Sequence, residues 1–170
     1  LVSALMLNVV FVWGQTIFSE NMFNGSGGAN GDAISVHESN NRFNEDALTY
    51  SGNGDLRNNT SSTGYAGASG TWNTMLNSTN ENFIIDGISA STCNSLVLSF
   101  GVRKATTASN GSTLIVEYST TGTAGPFTTI SWPLLPTGTG TAIWALVSSS
   151  SAIPNNVTTI KFRTTDGTEF

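Results

Sequence analysis

The sequence predicts an all-β protein built as a two-sheet antiparallel β-sandwich. Short runs rich in Val, Ile, Phe, Thr and Trp recur at intervals of about ten to fifteen residues, between clusters of Gly, Asn and Ser, and such spacing is typical of sandwiches and barrels. After residue 15 no apolar pattern of helical period follows. Hydrophobic residues make up 38% of the 170 residues, which is enough for one core without a disulfide framework.

Each apolar run is interpreted as one strand. The alternation is clearest in residues 95–103, where Leu96, Leu98 and Phe100 are separated by smaller or more polar neighbours, so one face of this strand is expected to lie against the core. The predicted strands are residues 16–20, 33–37, 47–50, 72–76, 82–88, 95–103, 112–119, 127–132, 142–148 and 157–163. Between them, residues 21–71 are rich in Gly and Asn and predict long loops.

The two ends of the chain differ from the body. Residues 4–13 (ALMLNVVFVW) form an apolar run that suits a secretory signal and is too short to span a membrane. Small side chains precede a possible cleavage site before Gln15, so residues 1–14 are interpreted as a truncated signal peptide, with a buried first strand as the alternative. Residues 15–170 are then a single β-sandwich module, interpreted as truncated before its last strand because residues 165–170 resemble a turn and a strand start.

Charge and composition argue against several functions. The net charge is −5 and only Arg103 and Lys104 are adjacent basic residues, so no basic patch is available for nucleic acid or for an anionic membrane. Catalytic side chains are also scarce, because His37 is the only imidazole, Cys93 is the only thiol, and no serine lies in a G-x-S-x-G motif. We predict no catalytic residues, no nucleic-acid binding by this module and no membrane span.

Aromatic residues beside the glycine-rich segment 66–71 are the candidates for ligand contact. Tyr65 and Trp72 flank this segment, and flat aromatic faces stack on the C–H faces of sugars. Arg57 and Asn73 are the candidate hydrogen-bond partners for sugar hydroxyls. Two alternatives stay open: the tryptophans belong to the core, and the loops are solvated spacers.

Five segments carry a resemblance to a known family: residues 17–22 (IFSENM), 48–57 (LTYSGNGDLR), 62–70 (STGYAGASG), 98–104 (LSFGVRK) and 135–144 (LPTGTGTAIW). Together they resemble an N-terminal module of secreted multidomain proteins of Bacteroidetes. The resemblance implies a jelly-roll-like sandwich, similar to carbohydrate-binding modules, and export by the type IX secretion route. It also implies downstream domains in the same chain, and a structural calcium ion with Glu20 as a ligand, tied to a closing strand that carries paired aspartates.

These expectations combine into one functional hypothesis. The chain is predicted to be a non-catalytic accessory module, secreted to the extracellular space or the cell surface, that binds a polysaccharide, a cell-surface glycan or another extracellular surface. The alternative is a structural or spacer domain at the N-terminus of a larger secreted hydrolase or nuclease whose active site lies outside residues 1–170.

Overall fold

The predicted all-β fold is confirmed. The structure, a computed structural model, describes residues 15–22, 27–70 and 72–170, so the predicted signal peptide, residues 1–14, lies outside the described residues. The described chain contains one short helix, α1 (Ile34–Ser39). Its strands are β1 (Asp32–Ala33), β2 (Thr49–Gly52), β3 (Asp55–Arg57), β4 (Asn73–Met75), β5 (Asn82–Asp86), β6 (Ser99–Val102), β7 (Leu114–Ser119), β8 (Thr128–Ile130), β9 (Ala145–Ser148) and β10 (Thr159–Thr164).

One wall of the sandwich is a five-stranded antiparallel sheet in the order β2-β5-β10-β7-β8. In its centre Phe162 of β10 lies opposite Phe83 of β5 and Val116 of β7. Because successive side chains of a strand point to opposite faces, Phe83, Ile85, Val116 and Ile160 turn the same way and are buried in the core. The register thus matches the apolar alternation of the sequence.

The opposite wall consists of two smaller antiparallel sheets, β1-β3-β4 and β6-β9. Leu56 of β3 is fully buried in the same apolar cluster as Phe83 and Ile160 of the large sheet. Phe100 of β6 meets Phe162 of β10 edge to face, with ring centroids 5.2 Å apart. Both smaller sheets therefore pack on the five-stranded sheet, which is the layered arrangement of a sandwich.

The predicted strand at residues 33–37 is wrong, because the chain turns into α1 immediately after β1. Ile34 and His37, three residues apart, are both fully buried, whereas Val36 is 43% exposed. A spacing of three places two side chains on one face of a helix, while a strand would have buried Ile34 and Val36 together. Burial of His37 therefore favours the helix over the strand, because His37 packs between aromatic rings as a core residue.

The predicted strand at residues 16–20 is also wrong, since the structure assigns no strand there. Ile17 and Phe18 both pack against the core, although they are consecutive and would point to opposite faces in a strand. Within the loop predicted for residues 21–71 the structure adds β3. Every other predicted strand overlaps an observed one, and within the described residues no helix is long and apolar enough to cross a membrane.

Candidate functional site

Two of the four predicted ligand contacts, Arg57 and Asn73, are brought together by the β3-β4 ladder, where they lie directly opposite each other. The Arg57 guanidinium pairs with Asp55 at 2.9 Å, and the Asn73 side-chain amide donates to the carbonyl oxygen of Thr60 at 2.9 Å. Arg57 Nε is buried and has no hydrogen-bond partner among the described residues. Both side chains are thus engaged within the protein, with one guanidinium donor left over.

Trp72, predicted as a stacking face for a sugar, lies in the core with 6% of its surface exposed. Its ring approaches His37, with centroids 5.2 Å apart, and its six-membered ring closely covers Gly28. The indole faces are covered by protein, so a sugar could not stack on them in this conformation. The alternative considered for the tryptophans, a place in the core, describes the position of Trp72.

His37 is fully buried beside Trp72, and its ring meets Phe43 edge to face at 5.1 Å. The ring nitrogen Nε2 lies 3.1 Å from the carbonyl oxygen of Met22, which requires the proton on Nε2. Burial lowers the pKa of His37 below its usual value. The only imidazole of the chain therefore stays neutral and serves packing.

Tyr65 lies on β6. A Cβ atom added to Gly101 would overlap the Tyr65 hydroxyl and crowd the ring carbon that bears it, so the hydroxyl end of the phenol contacts this strand at Gly101. The absence of a side chain at Gly101 makes this approach possible, which is a known use of glycine inside a strand. The Tyr65 side chain is half-buried, so part of the ring stays accessible.

Several side chains line the same surface pocket as Tyr65. Leu146 of β9 lies opposite Gly101 in the ladder and is 47% exposed, and the Ser99 and Ser148 hydroxyls of the next pair on that face are 2.7 Å apart. Arg103 and Trp144 follow and precede the two strands. We call this group the β6-β9 face, consisting of Tyr65, Ser99, Gly101, Arg103, Trp144, Leu146 and Ser148.

The β6-β9 face is rich in hydrogen-bond donors without protein partners. The indole Nε1 of Trp144 is buried and makes no hydrogen bond to a described residue. In the part of the chain that the structure describes, Arg103 forms no ion pair, whereas Arg42, Arg57, Lys161 and Arg163 each pair with a carboxylate. An aromatic ring and a guanidinium at one opening can hold a ligand that offers both apolar surface and acceptor oxygens, and the unpaired indole N–H lies buried beside them.

Sequence reasoning identified only Tyr65 in this group. The run AIWALV at residues 142–147 predicts at least partial burial for Trp144, and Leu146 was not among the candidates. The available signal was Gly101, a glycine in the middle of an otherwise apolar strand, which indicates that another group approaches the backbone closely.

Glu20, the predicted calcium ligand, is a hydrogen-bond acceptor at the edge of the large sheet. Its carboxylate accepts bonds from the amides of Met22, Asn44 and Glu45, at 2.6–3.2 Å, and from the Tyr50 hydroxyl at 2.8 Å. Burial raises the pKa of Glu20, and these hydrogen bonds oppose the shift.

A calcium site requires oxygen ligands, and most of the groups around Glu20 are N–H donors. No cluster of three or more His, Cys, Asp or Glu side chains that could hold a metal occurs among the described residues. The surroundings of Glu20 therefore do not fit a calcium site as the described residues stand, and calcium binding stays a prediction.

A cavity of about 960 Å³ opens between the two walls, behind the β6-β9 face. Its inner side is formed by apolar residues of the large sheet, including Phe83, Ile160 and Phe162, and its outer side by residues of β4 and β6. The volume is far larger than the voids that normally remain in a packed interior.

A scan of protein-family models, a search of curated proteins and a search of solved structures each found no match.

Proposed function

We propose that this chain is a non-catalytic module of an exported protein that binds a glycan through the β6-β9 face. The observation that supports this most directly is the position of Tyr65 against Gly101, near the exposed side chain of Leu146, which lies opposite Gly101 in the ladder. Together they offer an apolar surface of the kind on which the C–H face of a sugar ring packs. The proposal keeps Tyr65 from the sequence prediction and replaces Trp72, which is buried.

Polar groups next to this surface would select the ligand. Arg103 offers a planar set of N–H donors that is not neutralised by a carboxylate of the described chain, and the buried Trp144 Nε1 lacks an acceptor. A buried N–H without a partner costs free energy, so a rotation of Trp144 that brings its Nε1 to an acceptor on the ligand would favour binding. Sugar hydroxyl and ring oxygens are acceptors of this type. Ser99 and Ser148 already satisfy each other and are placed to exchange that bond for one with a ligand.

The experiment is affinity electrophoresis of residues 15–170 through gels that contain soluble polysaccharides, with and without calcium. We expect retardation on at least one polysaccharide, and a loss of affinity of about tenfold or more for Tyr65→Ala, Trp144→Ala and Arg103→Gln. Leu134→Ala is the matched control, because Leu134 is 57% exposed and lies outside the cavity lining.

The possible outcomes separate the two functional hypotheses. Retardation that disappears in all three variants, while their unfolding transitions match that of the parent chain, supports glycan binding at the β6-β9 face. Retardation that survives the three substitutions would locate binding elsewhere. No retardation on any polysaccharide would favour the structural or spacer domain.

A further inference from the structure

The cavity between the two walls is large and mostly apolar. Its volume is about 960 Å³, whereas an apolar cavity of about 150 Å³ already binds benzene. This volume is measured with residues 15–22 in place, since that segment lines one side of the cavity and the Thr74 hydroxyl donates to Met22 Sδ at 3.8 Å. The cavity is therefore large enough for a hydrocarbon several times the size of a benzene ring.

Inward-facing side chains of both walls line the cavity, and several of them are only half-buried. Phe162 lies in β10, the central strand of the large sheet, yet it is half-buried, whereas Ile160, two residues earlier on the same face, is 2% exposed. On the other side of the cavity, Leu98, just before β6, and Phe100 of β6 pack toward the core and are half-buried as well. The opposite wall normally covers such side chains in a sandwich, so these residues present apolar surface that a ligand can cover.

The charges that line the cavity favour an anion at its opening. Among the described residues, Arg103 and Glu20 are the two charged side chains of the lining. The Glu20 carboxylate is held by backbone amides and by the Tyr50 hydroxyl, whereas Arg103 forms no ion pair with a described residue. A guanidinium presents parallel N–H donors that match the two oxygens of a carboxylate. Arg103 thus offers a position for a carboxylate where the cavity meets the β6-β9 face.

We propose that the cavity binds the hydrocarbon chain of a free fatty acid whose carboxylate pairs with Arg103. The hydrocarbon chain lies between Phe162 on the large sheet and Leu98 and Phe100 on the opposite wall. This site goes beyond the proposed glycan binding, because a sugar on Tyr65 and Leu146 would use only the outer surface of the pocket. The two ligands share Arg103, so the interior of the cavity is where they can be told apart.

The first measurement is isothermal titration calorimetry of the 170-residue chain with octanoate, decanoate and dodecanoate, each below its micelle concentration. Burial of one methylene group raises affinity about fourfold, so we expect the dissociation constant to fall about tenfold for every two methylenes added. Dodecyltrimethylammonium carries the same hydrocarbon chain with the opposite charge. It should bind at least about tenfold more weakly than dodecanoate, although the net charge of −5 would by itself favour a cation.

Leu98→Trp tests where the hydrocarbon chain lies, because the larger side chain would extend into the cavity. We expect it to weaken dodecanoate binding about tenfold or more without lowering the unfolding midpoint. Leu48→Trp is the matched control, since Leu48 is also half-buried and packed against the core but does not line the cavity, and its affinity should equal that of the parent chain. Arg103→Gln should remove the preference for dodecanoate over dodecyltrimethylammonium. The series of chain lengths needs no variant, so it tests the proposal even if Leu98→Trp does not fold.

Three results would overturn the proposal. The first is an affinity that does not change with the length of the fatty acid. The second is dodecanoate binding that Leu98→Trp leaves at parent strength, or that Leu48→Trp weakens equally, because the cavity would then not hold the hydrocarbon chain. The third is equal or tighter binding of the cation, because Arg103 would then not hold the head group. Calorimetry with fatty acids needs no glycan, and Leu98→Trp should leave retardation on polysaccharides unchanged, so failure here is distinct from failure of glycan binding.

Discussion

The Tyr50 hydroxyl donates a hydrogen bond of 2.8 Å to Oε2 of Glu20. Tyr50 is 2% exposed and stacks on Phe43 with ring centroids 4.0 Å apart, so this bond ties residues 15–22 to the edge of the large sheet at β2. Burial, reinforced by the neighbouring carboxylate of Glu20, raises the pKa of Tyr50 far above its ordinary value. The phenol therefore remains a donor to Glu20 throughout the pH range in which proteins are handled.

We expect Glu20→Gln to lower the free energy of unfolding by about 1–2 kcal/mol. The carboxylate faces four donors, whereas glutamine keeps one acceptor oxygen and turns an NH₂ group toward the others. Relief of the burial of a charge offsets part of this loss. Urea unfolding at pH 7 measures the change, with Tyr50→Phe as the control that removes a single donor and costs about 1 kcal/mol. Parent-like stability of Glu20→Gln would show that the carboxylate does not anchor residues 15–22.

Lys104 is expected to hold two loops together. It is fully buried, and its ammonium donates to the carbonyl oxygens of Ser109, at 2.5 Å, and of Pro136. Lys104→Met fits the same space but leaves both carbonyls without this partner, and we expect a loss of about 3 kcal/mol in urea unfolding. Hydrogen exchange at the amide of Gly138, which is bonded to Thr107, should accelerate. Unchanged exchange there would mean that the loops hold each other without the lysine.

The ion pairs on the outer face of the large sheet predict a specific pH dependence. Hydrogen bonds from Arg163 and then Lys161 hold the pKa of Glu117 below its usual range. A carboxyl group whose folded pKa lies below its unfolded value, about 4.3, stabilises the fold fully above that value. This stabilisation is lost as the pH falls through the unfolded value and then the folded pKa.

Glu117→Gln should therefore lower the free energy of unfolding by about 1–2 kcal/mol at pH 7, a figure that allows for the partial exposure of Arg163. The free energy of unfolding of this variant should also depend less on pH between about pH 5 and 3. Thermal unfolding across that range measures the effect. Asp46→Asn is the control, because Asp46 is exposed and belongs to no ion pair among the described residues. A profile of Glu117→Gln that stays parallel to that of the parent chain would contradict the prediction.

The sequence predicted the large sheet better than the site. In β10 polar and apolar residues alternate from Thr159 to Arg163, and alternation is a local pattern that one-sided burial imposes directly. The environment of Tyr65 depends on Gly101 and Leu146, which are distant in sequence and meet only through the β6-β9 ladder. Likewise, nothing local distinguishes the buried Trp72 from an exposed tryptophan, since its burial depends on α1 and His37.

Gly101→Ala offers a test of the β6-β9 face that removes no polar group from the face. The new methyl group would occupy the position of the Tyr65 hydroxyl, so the ring must swing away, while alanine itself is compatible with a strand. We expect glycan affinity to fall about tenfold with little change in the unfolding midpoint, measured by affinity electrophoresis and thermal unfolding. Because Gly101→Ala acts only through the ring, the double variant with Tyr65→Ala should bind no more weakly than Tyr65→Ala alone. Additive losses would show that Gly101→Ala weakens binding without acting through the Tyr65 ring.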